Sequence, residues 1–580
     1  MDNLECIAKS LKNMVGRFEA DAFARQMTSF INGITLPWNG SIINGLVSPF
    51  RQLFYLFNLN ITSDINSSER IPFDLEKDWP IIVPMLAKME SAHRYEYGEL
   101  KPFSEILFET MDTEEVLRRR QIGLSTYISF FHVGPLHFEE QAIEKVVELY
   151  KNFDSELIKT FGWNADDVIA LYNCLDALFE LKKDKAFIKQ QKKELNKDEF
   201  KKEILSALAN GSSFKEAMRS LSEQPIDMFK YIADPSMVNI FSLFDLEHCS
   251  KPLVDTVLEK LTITSSVDKN FLFFSQPNQL YKKPIYKLLD GNYMIIDHRV
   301  LLNAMSDLLQ EKCSEIIKNK NRITKARDKY LERKIEQIFK DFYKQNSLVK
   351  ILPSYYLEKG GSERDLLVLA GETALIIEAK AGKIREPMYD PDKAYNGIWQ
   401  DFKETIDYGY IQAYSVKEKL MAKMPFDVYD KKMNVVLNID PNNIKDIHTI
   451  IVTYNKFGHV QSDLQMMLDL YDNDDHFPWA VCIDDLEIFL LGLIKLKMSE
   501  RDFYRFLNQR RNLHGQLIVN DEGQITGQFL KHKKILKQTG TYRFSPNDDY
   551  IYDQLYSTGL GFKKERGMDR KTDPRFIKIV

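Results

Sequence analysis

Hydrophobic spacing divides this chain into three kinds of territory. From residue 1 to about 265, apolar residues recur at i, i+3 and i+4, the stripe of an amphipathic helix. VLRRRQIGLSTYISFF (116–131), QAIEKVVELYKNF (141–153), DDVIALYNCLDALFELKKDKAF (166–187) and LVDTVLEKL (253–261) all carry it. The cluster Asn164-Ala165-Asp166-Asp167 supplies an N-cap for the third of these. Residues 270–299 switch to alternation around an Asp290-Gly291 turn, a hairpin signal, and lead into a helix over 301–317. From Gly360 to Gly382, GGSERDLLVLAGETALIIEAKAG holds two almost wholly apolar runs about a turn at Ala370–Thr373. That is the pattern of a hairpin buried on both faces. Around it, ITKARDKYLERKIEQIFKDFY (323–343) predicts a helix and SLVKILPSYYL (347–357) a strand. IWQDFKETIDYGYIQAYSVKEKLM (398–421) predicts a second helix, and HTIIVTY (448–454) a buried strand. FPWAVCIDDLEIFLLGLIK (477–495) reads as a strand and then a helix capped at Asp484-Asp485.

The pattern predicts a multidomain α/β protein. A mainly helical region over 1–265 is followed by a β-hairpin and helix connector over 266–320. An α/β core with a mixed sheet then spans 321–495, and a small α+β extension spans 496–580.

The central hairpin is greasy except where it ends. Asp365 opens its first strand, and Glu378 and Lys380 close its second. Strand side chains alternate, so Glu378 and Lys380 share a face, and a hairpin folds Asp365 back beside them. Charges ending a doubly buried ribbon are desolvated, and buried charges are paired or bind metal. Two carboxylates and an ammonium at one edge suit Mg²⁺, which takes hard oxygen ligands, with Mn²⁺ as its substitute. The competing reading is a structural ion pair. The small residues Ala381 and Gly382 leave room there for a bulky ligand.

These residues resemble the PD-(D/E)xK nuclease superfamily, the restriction-endonuclease-like fold, and its bacterial nuclease-related and restriction-like branches. Asp365 and Glu378 match its metal-binding acids, and Lys380 matches the lysine of its (D/E)xK element. The order of helix, strand, hairpin, helix and strand over about 323–490 matches its core. The proline that many members place before the first acid is replaced by Arg364. The resemblance implies that Glu332 of the 323–343 helix aims at the metal, with Glu336 one turn on as the competitor. It further implies a backbone ligand at Ala379 and a helix glutamine at Gln412. The implied activity is Mg²⁺-dependent phosphodiester hydrolysis, with DNA endonuclease action in restriction or anti-phage defence as the leading form. A nuclease-like fold kept only for nucleic-acid binding or assembly, and an RNA-directed nuclease, are the alternatives. Lys380 is not expected to act as a free base, because neighbouring carboxylates favour its charged form.

Charge sharpens the partner reading. The net charge of −5 excludes a global polycation, yet 313–350 carries 11 Lys/Arg against 5 Asp/Glu. Lys318, Lys320, Arg322, Lys325, Arg327 and Lys329 in that run are candidates for phosphate contacts. The nine lysines of 182–202 read as an exposed helix, and the basic tail of 562–580 as solvated. Five cysteines (Cys6, Cys174, Cys249, Cys313, Cys482) show no metal-ligand spacing and no disulfide framework. His132 and His137, flanking Gly134-Pro135, read as ordinary histidines of a turn. Phosphate-loop, nucleophile-elbow and HExxH patterns are absent from the sequence. With no apolar signal core and no ~20-residue apolar span, the expectation is a cytoplasmic protein without membrane contact. A partner subunit or a second copy of the chain is a further candidate partner.

Overall fold

The chain folds as two units, and the second is assembled from two separate stretches of sequence. Met1–His93 and Gly134–Lys320 form the first, and Arg94–Val133 and Asn321–Val580 the second. The computed structural model describes residues 4–33, 45–96, 113–132, 138–188, 206, 234–319, 321–382, 384–385, 391–537, 540–545, 547–563 and 565. The 133–137 turn with His137, most of the lysine-rich 182–202 segment, Lys320 and the tail beyond 565 lie outside them.

The first unit is helical, with a small sheet. Helices Glu139–Tyr150, Ala165–Ile188, Lys251–Leu261 and His298–Ile316 follow the apolar stripes of the sequence. Asn164 caps the second of these, its side-chain oxygen accepting the Asp167 N–H at 3.0 Å. Asp297 caps the fourth through the N–H groups of Arg299 and Val300. The hairpin expected over 270–299 is shorter than its alternation indicates, Ile285–Lys287 against Tyr293–Ile295, with Gly291 at φ +89° in the turn. Two further short strands, Ile240–Phe241 and Thr262–Ile263, flank it.

The second unit is built on a mixed five-stranded sheet. Its elements are α1 (Thr113–His132), α2 (Asn321–Phe342), β1 (Lys350–Tyr355), β2 (Arg364–Ala370), β3 (Thr373–Lys380), α3 (Pro391–Phe402) and α4 (Tyr408–Met421). They continue with β4 (Phe426–Tyr429), β5 (Val435–Ile439), β6 (Asp446–Thr453), β7 (Trp479–Cys482), α5 (Ile483–Lys495), α6 (Glu500–Arg510), α7 (Glu522–His532) and α8 (Tyr550–Ser557). The sheet order is β7-β6-β3-β2-β1, antiparallel from β1 to β3 and parallel from β3 to β7. Parallel pairing of β3 and β6 requires a crossover, which α3 and α4 supply. Leu375, Ile376, Ile377, Ile450, Ile451 and Val452 are fully buried, as expected for strands covered on both faces. The fold is therefore a multidomain α/β architecture with a helical N-terminal region and mixed sheets beyond it.

Two local readings change. The helix expected over 398–421 is broken by a π turn at Lys403–Asp407, which separates α3 from α4. The cap of α5 is Cys482, whose sulfur faces the Asp485 N–H, while the Asp485 carboxylate pairs with Lys456 at 2.7 Å. The β4–β5 hairpin and the membership of α1 in the second unit carry no signal in the sequence pattern. Arg118 of α1 donates to the Met466 carbonyl at 2.8 Å and stacks on Trp399, and Arg119 stacks on Tyr395. A buried pair, Lys334 with Glu487 at 2.6 Å, fixes α2 to α5. At the far end of α2, Tyr343 meets the Tyr504 hydroxyl of α6 at 3.0 Å. Among the described residues, no helix is long and apolar enough to cross a membrane.

Candidate active site

The site forms where the central hairpin comes apart. The β2–β3 ladder runs from Ala370↔Thr373 to Leu366↔Ile377 and stops there. Continuing the register sets Asp365 directly opposite Glu378, where opposed side chains share a face. The Asp365 carboxylate accepts the Ala379 N–H at 2.7 Å and so takes the place of the next ladder bond. On the β1 side, Ser354 sits at φ +47°, a left-handed conformation unusual for serine, opposite Asp365. The strand ends splay, and the two acids lie at the opening.

Lys380 bridges them. Its ammonium lies 3.0 Å from Glu378, 3.4 Å from Asp365 and 3.1 Å from the Ala379 carbonyl. Burial works to lower its pKa, but the charges of Glu378 and Asp365 prevail and raise it. Glu378 is only 1% exposed, and its second oxygen, Oε1, has no hydrogen-bond partner. Burial pushes this carboxyl up to about 8; Lys380 pulls it down and Asp365 pushes it further up.

Helix α2 brings a third acid to the cluster. Partial burial, then Asp365, Glu363 and Asp328, push the Glu332 carboxyl up to about 7. Glu336, its competitor one turn on, is held instead by Lys340 at 2.5 Å. Asp328, one turn before Glu332, also feels Asp365, and its carboxyl is raised, first by burial. Helix α4 closes the opposite side. Tyr408, Gln412 and Ser415 share one helix face by their spacing. The Tyr408 ring lies 5.8 Å from the Lys380 ammonium, and the Ser415 hydroxyl accepts from Arg364 at 2.8 Å. Gln412 sits half-buried between them, its side-chain oxygen without a partner.

Glycine at 409 is what lets α4 come this close. A Cβ there would stand 2.9 Å from Ile451 Cγ2 and 3.2 Å from Lys380 Cγ. The room expected beside Gly382 for a ligand is already filled, because a Cβ at 382 would lie 1.9 Å from Thr405 Cγ2.

Asp365, Glu378, Lys380, Ala379 and Glu332 thus come together, with Gln412 on the neighbouring helix face. The Ala379 carbonyl, expected as a metal ligand, is occupied by the Lys380 ammonium. Sequence reasoning missed Asp328 and Tyr355. The Tyr355 hydroxyl is buried without a partner, and its pKa is raised by burial and then by Glu378. Asp328 was readable in principle, as it stands four residues before Glu332 on the same helix face.

The raised carboxyl of Glu378 has a thermodynamic consequence. A group with a higher pKa folded than unfolded binds more protons when folded, so stability falls as pH rises between the two values. The window runs from the ordinary value of 4.5 to about 8. In EDTA, wild-type protein should lose of the order of a few kcal/mol across it relative to Glu378→Gln. Mg²⁺ should restore the difference at pH 8. Thermal melting at several pH values measures both effects; identical pH profiles for the two proteins would remove the buried charge from the argument.

The chain matches no family model, no curated protein and no solved structure.

Proposed function

We propose that the second unit is a cation-dependent nuclease of the PD-(D/E)xK type, cleaving DNA as an endonuclease. One observation carries this reading. Asp365 and Glu378 face each other at the splayed hairpin end, and Glu378 Oε1, fully buried, has no partner. A desolvated carboxylate oxygen left unsatisfied is costly unless a cation completes it. The local charge balance agrees: one ammonium, Lys380, stands against the carboxylates of Asp365, Glu378 and Glu332.

The donor set is all oxygen, which fits Mg²⁺ or Mn²⁺ and not a thiophilic metal. Asp365 and Glu378 would hold the ion. When bound, it would lower the pKa of its water and offset charge on the phosphate oxygens. Lys380, kept protonated by its two carboxylates, neutralises charge that develops on the phosphoryl group. Glu332, whose carboxyl partial burial pushes up to about 7, would accept a proton from the attacking water. Gln412 presents an unsatisfied amide oxygen beside the same cleft and orients water or substrate.

Incubation of the full chain with supercoiled plasmid, linear duplex, single strands and RNA tests the reading, each with Mg²⁺, Mn²⁺ or EDTA. Nicking of plasmid that EDTA stops is the expected result. RNA-only cleavage would change the substrate, and no cleavage under any cation would leave a binding module. The role in restriction or anti-phage defence rests on the family resemblance alone.

Substrate affinity should depend on salt through α2. Lys325 and Lys329 are exposed and lie two turns and one turn before Glu332 on its helix face. Each phosphate neutralised contributes about −0.9 to the log–log salt slope on duplex DNA. Lys325→Glu with Lys329→Glu should flatten that slope by about 1.8 and weaken binding to all sequences alike. An unchanged slope would move phosphate recognition off this helix.

A further inference from the structure

Outside the hairpin site, the first unit gathers two thiols and an imidazole that the linear sequence keeps apart. Cys174 lies within the helix Ala165–Ile188, and His248 and Cys249 lie just before the helix Lys251–Leu261. One ligand atom from each residue falls within 4.8 Å of the other two. Cys174 Sγ stands 3.2 Å from His248 Nε2, and the Cys249 sulfur lies within 4.8 Å of both. All three residues reach solvent, and both thiols are free.

We infer that Cys174, His248 and Cys249 form a zinc site. Two thiolates and one imidazole match the ligand preference of this borderline-soft d¹⁰ cation, and a water supplies the fourth position. With Zn–S of about 2.3 Å and Zn–N of about 2.0 Å, tetrahedral ligand atoms lie about 3.3–3.8 Å apart. To close on a metal, Cys174 Sγ and His248 Nε2 must open by about 0.3 Å, and no other pair must close by more than about 1.3 Å. Binding converts both thiols to thiolates, and the two protons pass to the buffer.

The backbone that presents these ligands is held independently of them. The turn before them is fixed by Asp245, whose carboxylate accepts the Ser242 N–H at 2.8 Å and the Ser242 hydroxyl at 3.0 Å. The Cys249 N–H donates to the Leu246 carbonyl at 3.0 Å, which sets the direction of the loop. Lys182, two turns beyond Cys174 on its helix, donates its ammonium to the Ile240 carbonyl. Loop and helix are thus already docked, and the metal acts as a second clip across a junction closed over 74 residues. A preset geometry of this kind lowers the ordering cost of binding. Sequence reading found no zinc signature because two of the ligands are adjacent and the third is remote. Signatures recognise short repeated spacings, and this fold makes the site from none.

The site is chemically distinct from the hairpin cleft, where every donor is oxygen, so the two should load independently. Full-length protein purified without chelator should carry about one zinc per chain by elemental analysis. Cobalt loaded into chelated protein should give the near-ultraviolet sulfur-to-cobalt absorption and the visible bands of a tetrahedral site. Cys174→Ser and Cys249→Ser should each weaken zinc binding by more than the ten- to hundredfold typical of losing an outer-shell partner. His248→Ala guards against misfolding, since it removes an exposed side chain, and should weaken binding while the protein melts normally without metal. Cys6→Ser and Glu378→Gln should leave the cobalt spectrum unchanged. Cobalt spectra identical in wild type, Cys174→Ser and His248→Ala would overturn the assignment. So would peptide mapping that finds Cys174 and Cys249 joined as a disulfide in metal-free protein.

Discussion

Glu378→Gln should reduce DNA cleavage by about a thousandfold or more while leaving the protein folded. The change is isosteric and removes one charged oxygen at a position only 1% exposed. A metal ligand lost from such a centre forfeits several kcal/mol of charge stabilisation, and each 1.36 kcal/mol is a factor of ten in rate. Asp365→Asn should behave similarly in activity. Its remaining amide oxygen can still accept the Ala379 N–H, so the splayed strand end survives. The double variant should be no worse than either single one, because on the proposed reading the two acids share one cation and their losses do not add. Plasmid nicking in Mg²⁺ at equal protein concentration gives the comparison. A Glu378→Gln protein that cleaves within tenfold of wild type would remove this hairpin from the chemistry.

The largest stability effect should come from Arg510→Met. Arg510, at the end of α6, is 0% exposed and grips Glu522 of α7 through two bonds, at 2.8 and 2.9 Å. Its fork also reaches the Ser462 carbonyl and His514, and Trp479 of β7 donates to the same glutamate at 2.8 Å. Losing the cation strands a carboxylate that is 3% exposed, a change that costs about 3–5 kcal/mol. For a unit of this size that is a fall of about 10 °C in its melting transition. Arg510→Met with Glu522→Gln should recover much of the loss, because a neutral pair needs no compensation. Arg510→Lys should not, because an ammonium cannot make the bidentate contact. Calorimetry showing under 1 kcal/mol for Arg510→Met would mean that water reaches Glu522.

The hairpin and its three charged ends were legible because they rest on local rules. Alternation fixes which side chains share a face, and a four-residue turn leaves little freedom in the register of Asp365 against Glu378. The choice of Glu332 over Glu336 was not local. Both lie within one turn of α2, and the rotation of that helix is set by distant partners such as Glu487 of α5. Tyr355 escaped notice for a related reason: nothing in SLVKILPSYYL distinguishes a buried phenol beside a carboxylate from an ordinary strand-end tyrosine. The π turn before α4 leaves the apolar periodicity nearly intact. The cluster of Cys174 with His248 and Cys249, and the placement of α1, both depend on long-range closure.

That placement of α1 also sets a clock on biosynthesis. The bond from Arg118 to the Met466 carbonyl joins residues 348 positions apart. At ~5–20 residues per second, a ribosome needs about 17–70 s to bring the second partner out after the first. For most of that interval α1 has emerged without α3, and throughout it without the Met466 segment, so Val116, Ile122 and Tyr127, buried in the folded chain, lack their cover. The nascent chain therefore exposes the apolar stripe of an amphipathic helix for much of its synthesis, a natural target for a holding chaperone. Cutting the gene at residue 320 to express the two parts separately would give an N-terminal fragment with one helix too many. The C-terminal fragment would have a groove where that helix belongs, and supplying 113–132 in trans should be what makes it soluble.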